Sequence, residues 1–149
     1  MIKILLSFSL IVIGLQLHAQ ENPVTWSFDS KKEATGIYRV NITAVVLAPW
    51  HIYSQTTPAG GPIPTKIQFK QNPLLNYSGS ISEQGQVQKH HDKNFGVDVI
   101  YFDGDVKFSQ VVKVKTAVKT SLHGSIEYMV CNDSKCLPPV VVPFDITLN

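Results

Sequence analysis

Residues 37–46 carry the pattern that most restricts how this chain can fold. Tyr38, Val40, Ile42, Ala44 and Val46 alternate with Arg39, Asn41 and Thr43. Successive side chains of a strand point to opposite faces, so a period of two means one buried face and one wet face. The same reading predicts strands at 24–28, 50–54, 65–70, 97–102, 105–115, 125–131 and 140–148, with a weaker one at 74–82. Gly, Pro and Asn punctuate them. Residues 56–64, rich in Pro and Gly, read as a loop, 84–93 as a polar stretch, and Asp103-Gly104 as a hairpin turn. Pro143 marks 140–148 as an edge strand or a bulge. No segment sustains a helical period. Seven to nine short strands in about 130 residues predict an all-β, two-sheet sandwich.

The first residues do not belong to that domain. Lys3 is followed by a mostly apolar run over 4–17 and then by Leu17-His18-Ala19. This is the layout of a secretory signal peptide, too short and wrongly flanked for a spanning helix. Cleavage is expected near 19/20, giving a leader at 1–19 and one domain at 20–149. Removing Lys3 from the 13 basic residues leaves 12 against 11 acidic ones. That balance provides no electrostatic footprint for nucleic acid or anionic lipid. No later apolar run is long enough to span a membrane.

The chain has two cysteines, Cys131 and Cys136, separated by Asn-Asp-Ser-Lys. Those four residues are turn chemistry. A four-residue hairpin loop would set the cysteines opposite each other, at a separation that permits a local cross-strand disulfide. Closing so short a loop stabilises a fold by only about 2 kcal/mol. Spacing alone leaves two readings open: an inert structural bond in an exported β-domain, or a bond exposed for thiol exchange.

The run Tyr128-Met129-Val130-Cys131, the polar loop, and Cys136-Leu137-Pro138-Pro139 resembles the active-site hairpin of the N-terminal periplasmic domain of DsbD, a transmembrane disulfide reductase. The resemblance extends to Trp50-His51-Ile52-Tyr53-Ser54 and Asp92-Lys93-Asn94-Phe95-Gly96. It implies an immunoglobulin-like β-sandwich and a periplasmic relay. Electrons would come from a separate membrane protein and pass to thioredoxin-like partners through Cys131 and Cys136. No cofactor beyond the cysteine pair is implied. The resemblance assigns attack on the partner to Cys136, a shielding cap to Phe95, and surrounding positions to Asp92, Tyr53, His51 and Tyr128. Lys135 lowers a neighbouring thiol pKa or is an ordinary solvated turn residue. Pro138 and Pro139 remove donors and stiffen the exit from the hairpin. Two other classes stand beside the relay. One is a non-catalytic immunoglobulin-like binding module. The other is a metal site built from His90, His91 and the cysteines, although adjacent histidines lack the usual ligand spacing. No hydrolase triad or phosphate loop is present.

Overall fold

The computed structural model describes residues 22–93, 95–115 and 118–149; the expected leader at 1–19 lies outside them. Nine strands are formed among the described residues: β1 (Val24–Ala34), β2 (Ile37–Val46), β3 (His51–Tyr53), β4 (Lys66–Phe69), β5 (Leu75–Asp92), β6 (Val97–Val114), β7 (Thr120–Tyr128), β8 (Val130–Cys131) and β9 (Val140–Leu148). They make two antiparallel sheets. The larger has the order β1-β2-β6-β3-β8, with β5 on the other edge of β6; the smaller is β4-β7-β9.

The alternation in β2 does what its period requires. Tyr38, Val40, Ile42, Ala44 and Val46 are all buried. Directly opposed residues share a face, so Ala44 with Val106, Ile42 with Phe108 and Tyr38 with Val112 form apolar rows across β2 and β6. The smaller sheet answers with Leu122, Ile126 and Tyr128 from β7, and Phe144, Ile146 and Leu148 from β9. The tightest approach is at Gly124. A Cβ there would lie 2.4 Å from the Phe144 ring and 2.6 Å from the Gln68 carbonyl oxygen. Only glycine lets Phe144, its cross-strand partner, fold over β7 and stack on Phe28 with ring centres 5.3 Å apart.

Three local expectations are corrected. Asp103-Gly104 is not a hairpin turn, because β6 runs through it. Gly85 pairs with Val106 and Gln86 with Asp103, so Gly104 and Asp105 bulge out of the ladder. Gly104 supplies its positive φ of 74° to that bulge. The polar stretch 84–93 is, as far as Asp92, the second half of β5. It is polar because β5 pairs with β6 alone and leaves a solvated edge. Finally, the strand before the cysteines does not run on into a simple hairpin with β9. β7 and β9 pair up to Tyr128–Val140. Between them the chain leaves the smaller sheet, and β8 joins β3 in the larger one. Pro143 does lie on an edge strand, since β9 pairs only with β7.

Candidate functional site

β3 has only three residues, yet it holds the site together because it pairs on both sides. Towards β6 it sets His51 opposite Asp103, Ile52 opposite Phe102 and Tyr53 opposite Tyr101. Towards β8 it sets His51 opposite Cys131 and Ile52 opposite Val130. The period of two then divides these residues. Ile52, Phe102 and Val130 face the main core. Tyr53, Val99 and Cys131 form a second buried cluster, flanked by Val97, Tyr101 and Met129. That cluster is on the outer face of the larger sheet. The end of β5 adds His90 opposite Val99 and Asp92 opposite Val97.

The chain turns sharply after Cys131. The Asn132 side-chain oxygen accepts from the backbone N–H groups of Ser134 and Lys135, both at 2.9 Å, and Asn132 N–H donates to the Lys135 carbonyl. This turn returns Cys136 to Cys131, and the two are joined by a disulfide. The two sulfur-bearing residues are unequal. Cys131 is 2% exposed, while Cys136 lies in the exposed turn.

A second turn faces the first. Between β5 and β6, the Asp92 carboxylate accepts from Phe95 N–H at 3.3 Å and the Asp92 carbonyl accepts from Gly96 N–H at 2.7 Å. Gly96 has φ of 68°, which closes the turn. Phe95 sits at its tip, 39% exposed, rather than in the core. Behind it, a Cβ on Gly61 would come within 2.8 Å of Val97, so the 56–64 loop packs against the base of this turn. The two turns and the outer face of β3 enclose a cleft of about 680 Å³. His51, Tyr53, Asp92, Phe95, Lys135, Cys131 and Cys136 all line it.

His51 is a half-buried titratable group there, beside the fully buried Tyr53. Its Nε2 lies 3.2 Å from Tyr53 Oη, and its ring lies 4.3 Å from that of Tyr101. Burial lowers the imidazole pKa, partly offset by Asp103, Asp133 and Asp92. Burial, with Asp92 and Tyr101, pushes the Tyr53 hydroxyl well above its ordinary range. At neutral pH the pair is therefore an imidazole beside a phenol. Lys135 Nζ lies 5.5 Å from the Trp50 ring centre, within cation–π range.

Two sequence candidates are not brought to the cleft. Tyr128 is the last residue of β7 and points into the main core, edge-on to Trp26 at 5.2 Å. Pro138 is exposed and lines a separate small pocket that Tyr128 also lines. The Cys₂His₂ set is not assembled either. Adjacent strand residues face opposite ways, and His91 points away from the cleft to bond Asp98 at 2.8 Å. Among the described residues, no group of three or more His, Cys, Asp or Glu side chains is placed to hold a metal. Sequence reasoning missed Tyr101 and Val99 as cleft residues. The available signal was that 99–102 is apolar at both parities, which marks a strand covered on both faces.

The cleft sets an exposed cysteine beside a buried one, with the neutral His51 on β3, the strand next to β8. Comparison with known proteins agrees with a thiol-exchange assembly. The family model for the N-terminal region of the thiol:disulfide interchange protein DsbD matches residues 17–147. A search of curated proteins returned no match. Among solved structures, the reduced DsbD N-terminal domain of Neisseria meningitidis is 21% identical, with a TM-score of 0.52 over 74% of this chain and 77% of that one. The same species' DsbD N-terminal domain in complex with the PilB N-terminal domain is 17% identical, with a TM-score of 0.57 over 87% of each chain. The N-terminal periplasmic domain of ScsB from Proteus mirabilis is 13% identical, with a TM-score of 0.58 over 87% of this chain and 47% of that one. At these identities the likeness is one of fold: the two sheets form an immunoglobulin-like β-sandwich.

Proposed function

The chain belongs to the family of the DsbD N-terminal domain, and from that premise we propose that it is an exported electron relay. It takes two electrons from a separate membrane reductase and passes them to a thioredoxin-like protein in the periplasm. The observation that carries this reading is the inequality of the cysteines: Cys136 exposed, Cys131 buried behind it. Exchange needs one sulfur that a partner can reach and one held back to resolve the mixed disulfide. An inert staple needs no such division. Further support comes from the meningococcal DsbD N-terminal domain having been captured with the PilB N-terminal domain. No helix among the described residues is long and apolar enough to cross a membrane.

The geometry supports the following steps. The Cys136 thiolate attacks a partner disulfide, forms a Cys136–partner bond and expels the partner's second sulfur. Cys131 then attacks Cys136 Sγ, closes the internal bond and releases the partner as a dithiol. Two electrons leave the cysteine pair and enter the partner. Phe95, on the facing turn, covers the pair between encounters and moves aside for a partner.

The test is capture of the intermediate. Cys131→Ser retains the exposed thiol and is expected to hold a thioredoxin-like protein as a persistent mixed disulfide. Cys136→Ser is expected not to. Non-reducing electrophoresis and mass spectrometry of exported proteins read this directly. If neither variant captures a thioredoxin-like protein or a membrane reductase, the relay fails and the inert binding module is the better account.

A further inference from the structure

The relay chemistry poses a problem that the cysteines alone do not solve. Cys131 must become a thiolate to resolve the mixed disulfide, yet it is 2% exposed and packed with Tyr53 and Val99. Burial in apolar surroundings disfavours the thiolate. Water reaches such a thiol poorly, so its proton needs a protein acceptor.

We infer that His51 is that acceptor and that Tyr53 positions it. This rests on the relay reading and adds a proton path to it. Three observations converge. His51 is the direct cross-strand partner of Cys131, which places the two Cβ atoms about 4.5–5.5 Å apart on the same face. The imidazole is held in one orientation, by Tyr53 Oη at 3.2 Å and by the Tyr101 ring against its face. It lines the same cleft as both cysteines. His51 is also neutral, and so able to accept, because burial outweighs the acidic groups around it.

The charged and titratable groups facing His51 come from every neighbouring element: Tyr53 on β3, Asp103 and Tyr101 on β6, Asp133 and Lys135 in the cysteine turn, and His90, Asp92 and Lys93 at the end of β5. Tyr53 keeps its proton throughout, because its hydroxyl titrates well above neutrality. It can therefore orient the ring but does not compete for the Cys131 proton.

The step balances. The Cys131 thiol proton passes to His51. The Cys131 thiolate attacks Cys136 Sγ, and the Cys131–Cys136 bond forms. The Cys136–partner bond breaks, and its electron pair leaves on the partner sulfur. That sulfur takes the proton from the His51 imidazolium, which returns to neutral. In the reverse direction, the donor's attack on Cys136 expels Cys131, and His51 protonates it.

The experiment uses glutathione disulfide in place of any protein partner. Reduced protein is mixed with it, samples are acid-quenched, and mass spectrometry follows decay of the Cys136–glutathione adduct to the closed disulfide from about pH 5 to 9.5, a range that brackets the ordinary histidine and thiol values. A free thiol ionises near 8.5 and is only about a few per cent thiolate at pH 7, and burial disfavours the thiolate further. His51→Phe and His51→Gln are both expected to slow decay at pH 7 by at least about ten-fold. Their rates should climb with pH and converge on the wild-type rate as the thiol ionises unaided. Tyr53→Phe should shift the pH midpoint of the wild-type curve. An unchanged rate in His51→Gln, or slowing by the same factor at every pH, overturns the inference; the second result would mean the ring only shapes the cleft. His51→Gln keeps a polar side chain at the site, so the test survives if His51→Phe does not fold. Failure to capture a protein partner would sink the relay but leave this result standing. Capture without any His51 effect would do the reverse.

Discussion

Replacing each cysteine by serine separates the energetic role of the bridge from that of the site. Both substitutions remove the same bond. The bond closes a loop with a sequence separation of 5, for which the chain-entropy model gives about 2 kcal/mol. That loss is common to the two variants, so it cancels in their difference. What remains is where each new hydroxyl sits. In Cys136→Ser it would lie in the exposed turn, where water satisfies it. In Cys131→Ser it would lie in the cluster of Tyr53 and Val99, where burying a hydroxyl in place of sulfur costs about 1–3 kcal/mol. Cys136→Ser is therefore expected to lose about 2 kcal/mol and Cys131→Ser about 3–5 kcal/mol. Urea unfolding followed by fluorescence of Trp26 and Trp50 measures this. With a slope of about 2 kcal/mol per molar, the two midpoints should differ by at least about 0.5 M. Coincident midpoints, or a less stable Cys136→Ser, would refute the division into a buried and an exposed cysteine, and with it the roles assigned above.

Two further outcomes are expected near the cleft. Phe95→Ala should speed attack of glutathione on the oxidised pair several-fold while costing less than about 1 kcal/mol, because the side chain is already 39% exposed; an unchanged rate would leave Phe95 with no shielding role. Glu83→Gln should destabilise the domain by about 1–2 kcal/mol in urea unfolding, because the Glu83 carboxylate accepts from Ser54 Oγ at 2.5 Å and Gln55 N–H at 2.8 Å just beyond β3. A loss within measurement error would show that those bonds do not hold the loop.

How much of this was legible beforehand depends on the range of each interaction. The strands at 37–46 and 140–148 match their expected bounds, because a half-buried strand writes its burial into every second residue. The Asp103-Gly104 pair was misread because a positive φ serves a bulge as well as a turn. The choice is made by β5, an upstream strand that goes on pairing past it with a shifted register, Gly85 opposite Val106 and Gln86 opposite Asp103. The adjacency of the cysteines is local and was readable. Their inequality was not, because it arises when β8 abandons β7's sheet for β3, a pairing of Val130 with Ile52 that no local pattern encodes. The same departure explains Tyr128. Shortly before Cys131 in sequence, it ends a strand of the other sheet and faces the main core rather than the cleft.

The shortness of the disulfide loop also bears on how the chain acquires its structure. Most of the fold's pairings are remote in sequence: Ile52 meets Phe102 and Val130, and β4 meets β7. Chains dominated by such contacts fold slowly, on the millisecond-to-second scale, whereas a short loop closes in well under a microsecond. The sulfurs therefore meet many times before the sandwich exists. With two cysteines in the whole chain, there is no wrong intramolecular partner for either. An emerging chain can be oxidised early or late without being locked into a misfolded topology, and needs no disulfide isomerase to correct it.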